Sequence, residues 1–517
     1  MDFTHEVIVI GGGPVGMGLA IDLGQRGIKT AVVERHPEPQ MVPKGQNLTQ
    51  RSLENIDSWG CEPKMRAARV MPPGLANGGL VTYRTILSDY AYDWLARENV
   101  QPYYGQRVDR MPQYQTEKVL RARAAELDTI DLRYGLSFKG LDQDDDGVMI
   151  TADDGSVLRA RYAVACDGSN SATRDAAGIT QTITAHDRKM VLIVFKSPDL
   201  SDLLAKYHPP RSFYNALDPE LNGYWKFLGR VDGVTEWFFH APVPTDTTRK
   251  NTDFEAILTE AVGASFEIDI SYVGFWDLRF ALADRYRKDR VLVAGDASHS
   301  HPPYGGYGIN TGFEDARNLG WKLAAALDGW AGDALLDSYD AERRPVFASL
   351  GRDFIGNFIE EDRDFLQTYS PEKDPAEFAT KWSARNEGDE EVLAYEPNYQ
   401  GSPIVDGDGT PSARGDHRFD ARAGHHIAPR ALSDGRTTYQ TLGAGFTLFA
   451  FGVDSVDFAE AAQALSIPLT IVADTFEEER RDYVQPLILV RPDGFVSWCG
   501  QAGDADQILR MAIGAQS

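Results

Sequence analysis

The 517-residue chain predicts an α/β fold in about three parts. Three observations point there: a glycine turn between two apolar strands near the start, a strand-rich aromatic stretch in the middle, and a Gly/Pro break before a last alternating segment. Residues 5–34 read as a βαβ unit, with strands over 5–10 and 29–34 around a helix over 17–26. Helical spacing recurs over 48–59 and 113–127, and residues 131–164 alternate as short strands around the turns Asp144-Asp-Asp-Gly147 and Asp153-Asp-Gly155. From 182 to 280 the pattern changes to aromatic-rich strands over 191–195, 224–230, 236–240 and 268–275, with one helix over 253–262, as in a mixed sheet set against the first domain. An apolar strand over 290–294, a Gly/Pro loop and helices over 309–327 and 335–350 resume the strand-turn-helix alternation of the first domain; residues 362–391 are dense in acids and sparse in apolar side chains. The break falls in Tyr395-Glu-Pro-Asn-Tyr-Gln-Gly-Ser-Pro403 and Asp406-Gly-Asp-Gly-Thr-Pro411. Beyond it run a strand over 446–453, a helix over 458–465, strands over 469–472, 487–491 and 495–499, and a helix over 505–513. The expected division is therefore a domain in two pieces, 1–181 and 281–395, an insert at 182–280, and a separate domain at 411–517.

With 52 Lys+Arg against 77 Asp+Glu, the net charge is −25, which argues against nucleic acid or an anionic membrane as the main partner. Hydrophobic residues at 42% supply ample core, excluding a largely disordered chain. The three cysteines, Cys61, Cys166 and Cys499, form neither a CxxC pair nor a paired-Cys zinc motif, so no metal is expected and a reducing cytoplasm fits. No basic segment precedes the first apolar run, and no stretch approaches the roughly 20 apolar residues of a membrane helix. A soluble, cytoplasmic protein is the expectation.

Gly11-x-Gly13-x-x-Gly16 sits at the strand-to-helix junction of the βαβ unit, and Glu34 ends its second strand. The first glycine permits the tight turn, the second lets a pyrophosphate reach the backbone, and the third allows close helix packing. Free amides at the helix start then hold the phosphates, and Glu34 can accept hydrogen bonds from ribose hydroxyls. Dinucleotide binding follows, with FAD and NAD(P) both open at this point. No second fingerprint exists; Gly443-Ala-Gly445 lacks the third glycine.

Two distant motifs decide between them. Asp167-Gly168-x-x-Ser171-x-x-Arg174 follows the strand over 162–166. Gly295-Asp296-Ala-Ser-His299 follows 291–294 and continues as Ser300-His-Pro302-Pro303-Tyr-Gly305-Gly306-Tyr-Gly308-Ile-Asn310. With the fingerprint, in this order and spacing, these residues resemble the flavoprotein aromatic hydroxylases typified by para-hydroxybenzoate hydroxylase and phenol hydroxylase, the class A FAD monooxygenases, over residues 5 to about 350. The resemblance implies a Rossmann-like FAD-binding domain of the GR2 type with an inserted mixed β-sheet substrate domain. It also implies a C-terminal thioredoxin-like domain; without a CxxC no dithiol chemistry is expected of it, and a packing or homodimer-interface role is the reading.

By the resemblance, Gly11, Gly13, Pro14, Gly16, Glu34 and Arg35 hold the adenosine end of FAD, Asp296 meets a ribityl hydroxyl, and Asp167 steadies the loop near the pyrophosphate. Gly305, Gly306 and Gly308 clear space for the isoalloxazine, and amides around Gly308, Ile309 and Asn310 face its N1/C2=O edge. Lys44 stands where many relatives carry an arginine against the phosphates; it keeps the charge but loses the fork, and Arg51 is the alternative. Gln113 resembles the glutamine near the ribityl and pyrophosphate groups, with Gln115 as the other candidate.

The resemblance further implies that NADH or NADPH reduces the flavin from the surface and that O2 then gives a C4a-hydroperoxide, which hydroxylates a phenolic or related aromatic substrate. That species needs a closed apolar pocket, for which residues 182–280 are the candidate walls. A group that draws the proton from the substrate hydroxyl is expected. Gln46 stands where some relatives have an acid or histidine, and it does not titrate. Arg211, Tyr214, Tyr224 and His240 are the sheet candidates, with Tyr304 beside the substrate. Pro302 and Pro303 resemble the prolines next to the flavin, and His299 reads as a packed, hydrogen-bonded histidine. Baeyer-Villiger oxidation or epoxidation of a polyketide is the alternative reaction. The WxWxIP signature of a halogenase is absent, since Phe275-Trp-Asp-Leu278 does not match it.

Overall fold

The computed structural model describes residues 3–75, 78–385 and 390–515; the outermost residues of the expected terminal domains, and residues 386–389 of the acidic stretch, lie outside the described residues. At its centre Val7–Ile10 pairs in parallel with Thr30–Glu34 on one side and Tyr162–Ala165 on the other. Val291–Val293 and Ile130–Tyr134 extend this sheet in parallel, and Arg287–Lys288 closes one edge antiparallel. Val7–Ile10 and Tyr162–Ala165 are buried at every position, which is why they read as unbroken apolar runs. The first helix spans Pro14–Gln25, starting ahead of what its apolar spacing suggests: proline at the first helical position loses an N–H that has no partner there anyway.

The second large sheet has eight strands and exceeds the 182–280 insert. Its longest members, Gln181–Lys196 and Asp269–Ala283, pair antiparallel, with a register shift between Ala185 and Lys189. The polar, exposed start of the first hides it from a hydrophobicity reading, which finds only 191–195. Glu236–Pro244, Trp225–Arg230 and Phe213–Leu217 follow, and the sheet is completed from outside the insert by Gly79–Tyr83, Ala91–Trp94 and the short His299–Ser300. Gly79–Tyr83 joins in parallel to Phe213–Leu217, a non-local pairing that no local signal reveals. The acidic stretch holds the helices Asn357–Thr368 and Pro375–Ala384, whose few aromatics carry the packing: Phe378 and Trp382 are both about 1% exposed and pack edge-on against Tyr83.

Past the break, a four-stranded mixed sheet of Phe446–Phe451, Leu469–Asp474, Leu487–Val490 and Val496–Gly500 carries the helices Val456–Ala464 and Ala505–Ala512, the order read from the sequence. It is locked to the first domain by a buried ion cluster. Glu342 accepts from Lys322 Nζ at 2.7 Å, from Arg491 Nη1 at 2.6 Å and Nη2 at 3.0 Å, and from Ser402 at 2.6 Å. Arg491 also pairs with Asp493, which accepts from the Trp321 indole at 3.1 Å. All four charged groups are at most 2% exposed, two cations against two carboxylates. Burial pulls Lys322 down to about 8. Burial alone would raise the Glu342 carboxyl, but Arg491 and Lys322 outweigh it and hold the group well below the usual carboxylate range. Glu342→Gln would leave two buried cations facing one acid. We expect a loss of about 3–5 kcal/mol, read as a lower urea midpoint, whereas an unchanged midpoint would show that the cluster does not hold the two parts together.

Candidate functional site

The ends of the parallel strands and one face of the eight-stranded sheet enclose a single cavity of about 970 Å³. That is the upper end of the usual range for small-molecule sites, roughly 300–1,000 Å³. One half is lined by backbone. Gly11 adopts φ +108°, and a Cβ there would stand 2.2 Å from the Cys166 carbonyl oxygen, so only glycine fits between the adjacent strand ends. A Cβ at Gly16 would stand 2.0 Å from the Gly11 oxygen, whereas one at Gly13 would meet nothing within 4 Å. The three glycines thus divide into two that let backbone pack and one that leaves the cavity wall bare. The helix behind them has no side-chain cap, so its first amides remain free for an anion. Glu34 is fixed by the Gly12 amide at 2.6 Å and the His36 amide at 2.7 Å. Arg35 and Lys44 also line this half.

At the opposite wall, Gly306 has φ +71° and caps the helix Tyr307–Asp328, which starts two residues before the 309 expected from its apolar spacing. The free amides therefore belong to Gly308 and Ile309, the Tyr307 amide donating to the Tyr304 carbonyl at 3.4 Å; Tyr307, Gly308 and Ile309 line the cavity and Asn310 does not. The Asn310 side chain is a brace: Nδ2 donates to the Asn47 and Gly306 carbonyls at 2.9 and 2.6 Å, and Oδ1 accepts from the Thr49 amide and Ser52 hydroxyl at 2.9 and 2.6 Å. Arg97 steadies the same turn through the Gly305 carbonyl at 2.6 Å. Asp296 projects from the wall, walled round by protein yet accessible from the cavity; burial raises its carboxyl, opposed by His299 and Lys44. Asp167 accepts from Ser171 and, at 3.1 and 3.0 Å, from the Thr173 amide and hydroxyl, tying down the loop after its strand. His299 is packed as expected, 2.7 Å from Asp315 and stacked on Phe347. Gln113, rather than Gln115, lines the cavity, and its Oε1 accepts from the Gly45 amide at 3.2 Å.

The sheet-side half is aromatic: Trp94, Phe227, Phe238, Trp276 and Tyr304 line it, with Pro303 at the glycine turn. Several polar atoms in its wall have no partner: both amide atoms of Gln46, Nδ1 of His240, Nε2 of His301 and Nε of Arg110. His240 hydrogen-bonds to the Val191 backbone through its other nitrogen, and burial pushes it down to about 3. It is therefore neutral at physiological pH with Nδ1 as a bare acceptor, able to take a hydrogen bond but too weak a base to take a phenol's proton. Burial likewise lowers His301 to about 4.

Five expectations are corrected by placement. Tyr214 lies on the far face of the sheet, in the apolar cluster with Trp237 and Phe239, because alternate residues of a strand face opposite ways. Arg211 forms an outward ion pair with Asp93 at 2.6 Å. Tyr224 precedes its strand and packs on His186 and Trp225, outside the cavity lining. The Pro302 carbonyl accepts from the Tyr304 amide at 2.7 Å and from His301, leaving Pro303 as the proline in the cavity wall. Arg51 turns toward the C-terminal domain, pairing with Glu54 and Glu314 and stacking on Phe495. Sequence reasoning missed Arg110, Asn47, Trp94 and His301. Arg110 stands two residues before the Pro112-Gln113 pair, so proximity to a recognised motif was the one signal available for it.

The fold and cavity are those of a flavoprotein aromatic hydroxylase. Residues 4–352 match the FAD binding domain family and residues 420–515 the C-terminal domain of aromatic-ring hydroxylases, and the chain belongs to this family of FAD-dependent monooxygenases. Rifampicin monooxygenase of Streptomyces venezuelae is 31% identical over 513 residues, 96% of each chain. The 4-methyl-5-nitrocatechol 5-monooxygenase of a Burkholderia species is also 31% identical, over 96% of this chain and 94% of its own. Among solved structures, the rebeccamycin biosynthetic enzyme RebC with reduced flavin superposes with a TM-score of 0.84 at 28% identity, covering 99% of both chains. The ternary complex of aklavinone-11 hydroxylase with FAD and aklavinone shares the fold, with a TM-score of 0.82 at 23% identity over 99% of this chain and all of its own.

Two outcomes follow from this geometry. Gly11→Ala is expected to abolish copurification of flavin, measured by visible absorbance, through the clash with Cys166; full retention would show that the turn can shift. His240 binds a proton far less readily folded (about 3) than unfolded (6.5), so the unfolded state binds more protons between these values and stability falls as pH drops through them. Thermal melts of His240→Asn against wild type should show a shallower acid loss in that window, by at most about 5 kcal/mol.

Proposed function

We propose that this enzyme is an NADH- or NADPH-dependent monooxygenase that hydroxylates a phenolic or related aromatic substrate held between the aromatic sheet wall and the Pro303–Ile309 segment. The observation that carries the reading is the continuity of one cavity from the bare glycine wall beside Glu34 to the aromatic wall at Phe238 and Trp276. The backbone half fits an extended dinucleotide, and the aromatic half fits a flat ring. FAD supplies the redox chemistry when bound, accepting a hydride from the nicotinamide and activating O2. The side chains do the rest. Free amides of Gly308 and Ile309 at the helix start offer partial positive charge to an electron-rich cofactor edge. Lys44 offers a cation to the phosphates, Asp296 an acceptor to a hydroxyl, and Gln113 holds the 45–46 backbone in place.

In the substrate half, the Gln46 amide can donate to and accept from a ring hydroxyl, and His240 Nδ1 can accept from one. Phe227, Phe238 and Trp276 exclude water from the reacting centre. The domain reading is a GR2-type FAD domain in two pieces, a substrate sheet built mainly from 182–280, and a thioredoxin-like C-terminal domain without CxxC. Among the described residues the three cysteines are free, which suits a reducing cytoplasm, and no helix is long and apolar enough to cross a membrane. The relatives' action on rifampicin and on a nitrocatechol supports large or substituted aromatic substrates.

The test is a screen of phenols with the holoenzyme, following nicotinamide oxidation, O2 uptake and product mass. Ligand-stimulated oxidation with a product one oxygen atom heavier is expected; failure of both nicotinamides to reduce the flavin, or oxidation that never oxygenates a ligand, would defeat the reading. Phe238→Ala should raise hydrogen peroxide released per nicotinamide consumed, since it opens the apolar wall.

A further inference from the structure

We propose that Arg110 is the recognition group for a negatively charged oxygen, carboxylate or ionised phenol, carried by the aromatic substrate. The proposal rests on the hydroxylase reading above and adds the charge of the substrate to it.

Arg110 lines the cavity at 1% exposure, in the two-stranded pairing that sets Asn47 opposite it. Its guanidinium lies 5.0 Å from the Phe213 ring centre and 5.8 Å from that of Phe238. Nη1 donates to Asn47 Oδ1 at 2.7 Å, and Nε has no partner. Gly229 of the eight-stranded sheet makes room for it, since a Cβ there would stand 2.9 Å from Nη2.

Among the described residues no carboxylate pairs with it. The neighbouring Asp109 carboxylate is occupied by Arg66 at 2.7 Å and Arg69 at 2.5 Å. Burial, with a further push from Arg97, lowers Arg110 to about 9, and no acid opposes the shift. Among the described residues, the other cations at most 1% exposed are answered: Arg343 by Asp315 at 2.8 Å, Arg491 and Lys322 by Glu342 at 2.6 and 2.7 Å. A guanidinium stays charged at neutral pH, and a buried charge without a partner is costly unless a ligand supplies one. A planar fork against an aromatic wall suits an anionic oxygen on a ring. The position is also defined: Asn47 abuts Gly306, where a Cβ would stand 2.7 Å from its Nδ2, so the charged oxygen would lie at the edge of the glycine turn while the ring rests on Phe238.

The experiment titrates the holoenzyme with two matched pairs at pH 7, reading flavin absorbance: 3-hydroxybenzoate against its methyl ester, and 4-nitrocatechol against catechol. Wild type should bind the charged member of at least one pair about tenfold or more tightly than the neutral member, and the responding pair tells carboxylate from phenolate. Arg110→Gln should erase that preference. Arg110→Lys, which keeps the charge without the fork, should retain part of it and serves if the glutamine variant does not fold. No preference in wild type, or an equal preference in Arg110→Gln, would overturn the proposal. So would an Arg110→Gln variant that shifts the flavin reduction potential while ligand discrimination stays intact, for the cation would then serve the cofactor. If neutral catechol is still oxygenated while these results fail, the hydroxylase reading stands and only the anion assignment falls.

Discussion

Everything in the site depends on the parallel pairing of Val7–Ile10 with its two neighbours. Because parallel strands all end at the same edge, this register delivers the Gly11 turn, Glu34, Asp167 and, through Val291–Val293, Asp296 to one rim, though they are spread over almost 300 residues of chain. The contact between Gly11 and the Cys166 carbonyl leaves no room for a side chain, so the rim is bare backbone where a charged ligand must approach. Asp315 then fixes the last member of the rim: it accepts from the Gly295 amide at 3.0 Å and from His299 at 2.7 Å, and Arg343 neutralises it.

The two halves of the cavity handle polarity in opposite ways. On the nucleotide side, amides left free by helix geometry offer partial charges that cost nothing to hold in place. The sheet side is aromatic, and there the unpaired atoms of Gln46, His240 and Arg110 are distinct, single groups. Burial leaves His240 a neutral acceptor and leaves Arg110 a cation with no acid paired to it among the described residues. A wall of this kind is selective, because a ligand lacking the complementary groups leaves those atoms buried and unpaired.

The C-terminal domain is part of the same body. Arg491 reaches Glu342 on the helix Asp333–Ser349, Arg317 donates to the Pro492 carbonyl, and Arg51 donates to that of Asp493. Two of these contacts fall on helices that also carry the Asn310 brace: Arg317 shares a helix with Asn310, and Arg51 shares one with Ser52. Docking of this domain is thereby linked to the rigidity of the cavity wall, although none of its residues lines the cavity.

The glycine-lined half of the cavity was legible in the sequence because its geometry is local. A glycine fingerprint, a strand-terminal acid and the Gly295-Asp296 turn each work through backbone a few residues away, and their spacing is fixed by a βαβ unit. The substrate half was not, since which side chains share its wall depends on strand pairings such as Gly79–Tyr83 with Phe213–Leu217, and on alternation that puts Phe238 and His240 on one face and Tyr214 on the other. Tyr214, Tyr224 and Arg211 were chemically reasonable and faced elsewhere, whereas Arg110 bore no motif of its own. By itself the sequence determined the α/β fold class, the family and the position of the glycine-lined rim. Only the tertiary structure decided which polar groups are buried together and unpaired, because burial and pairing are properties of side chains brought from distant strands.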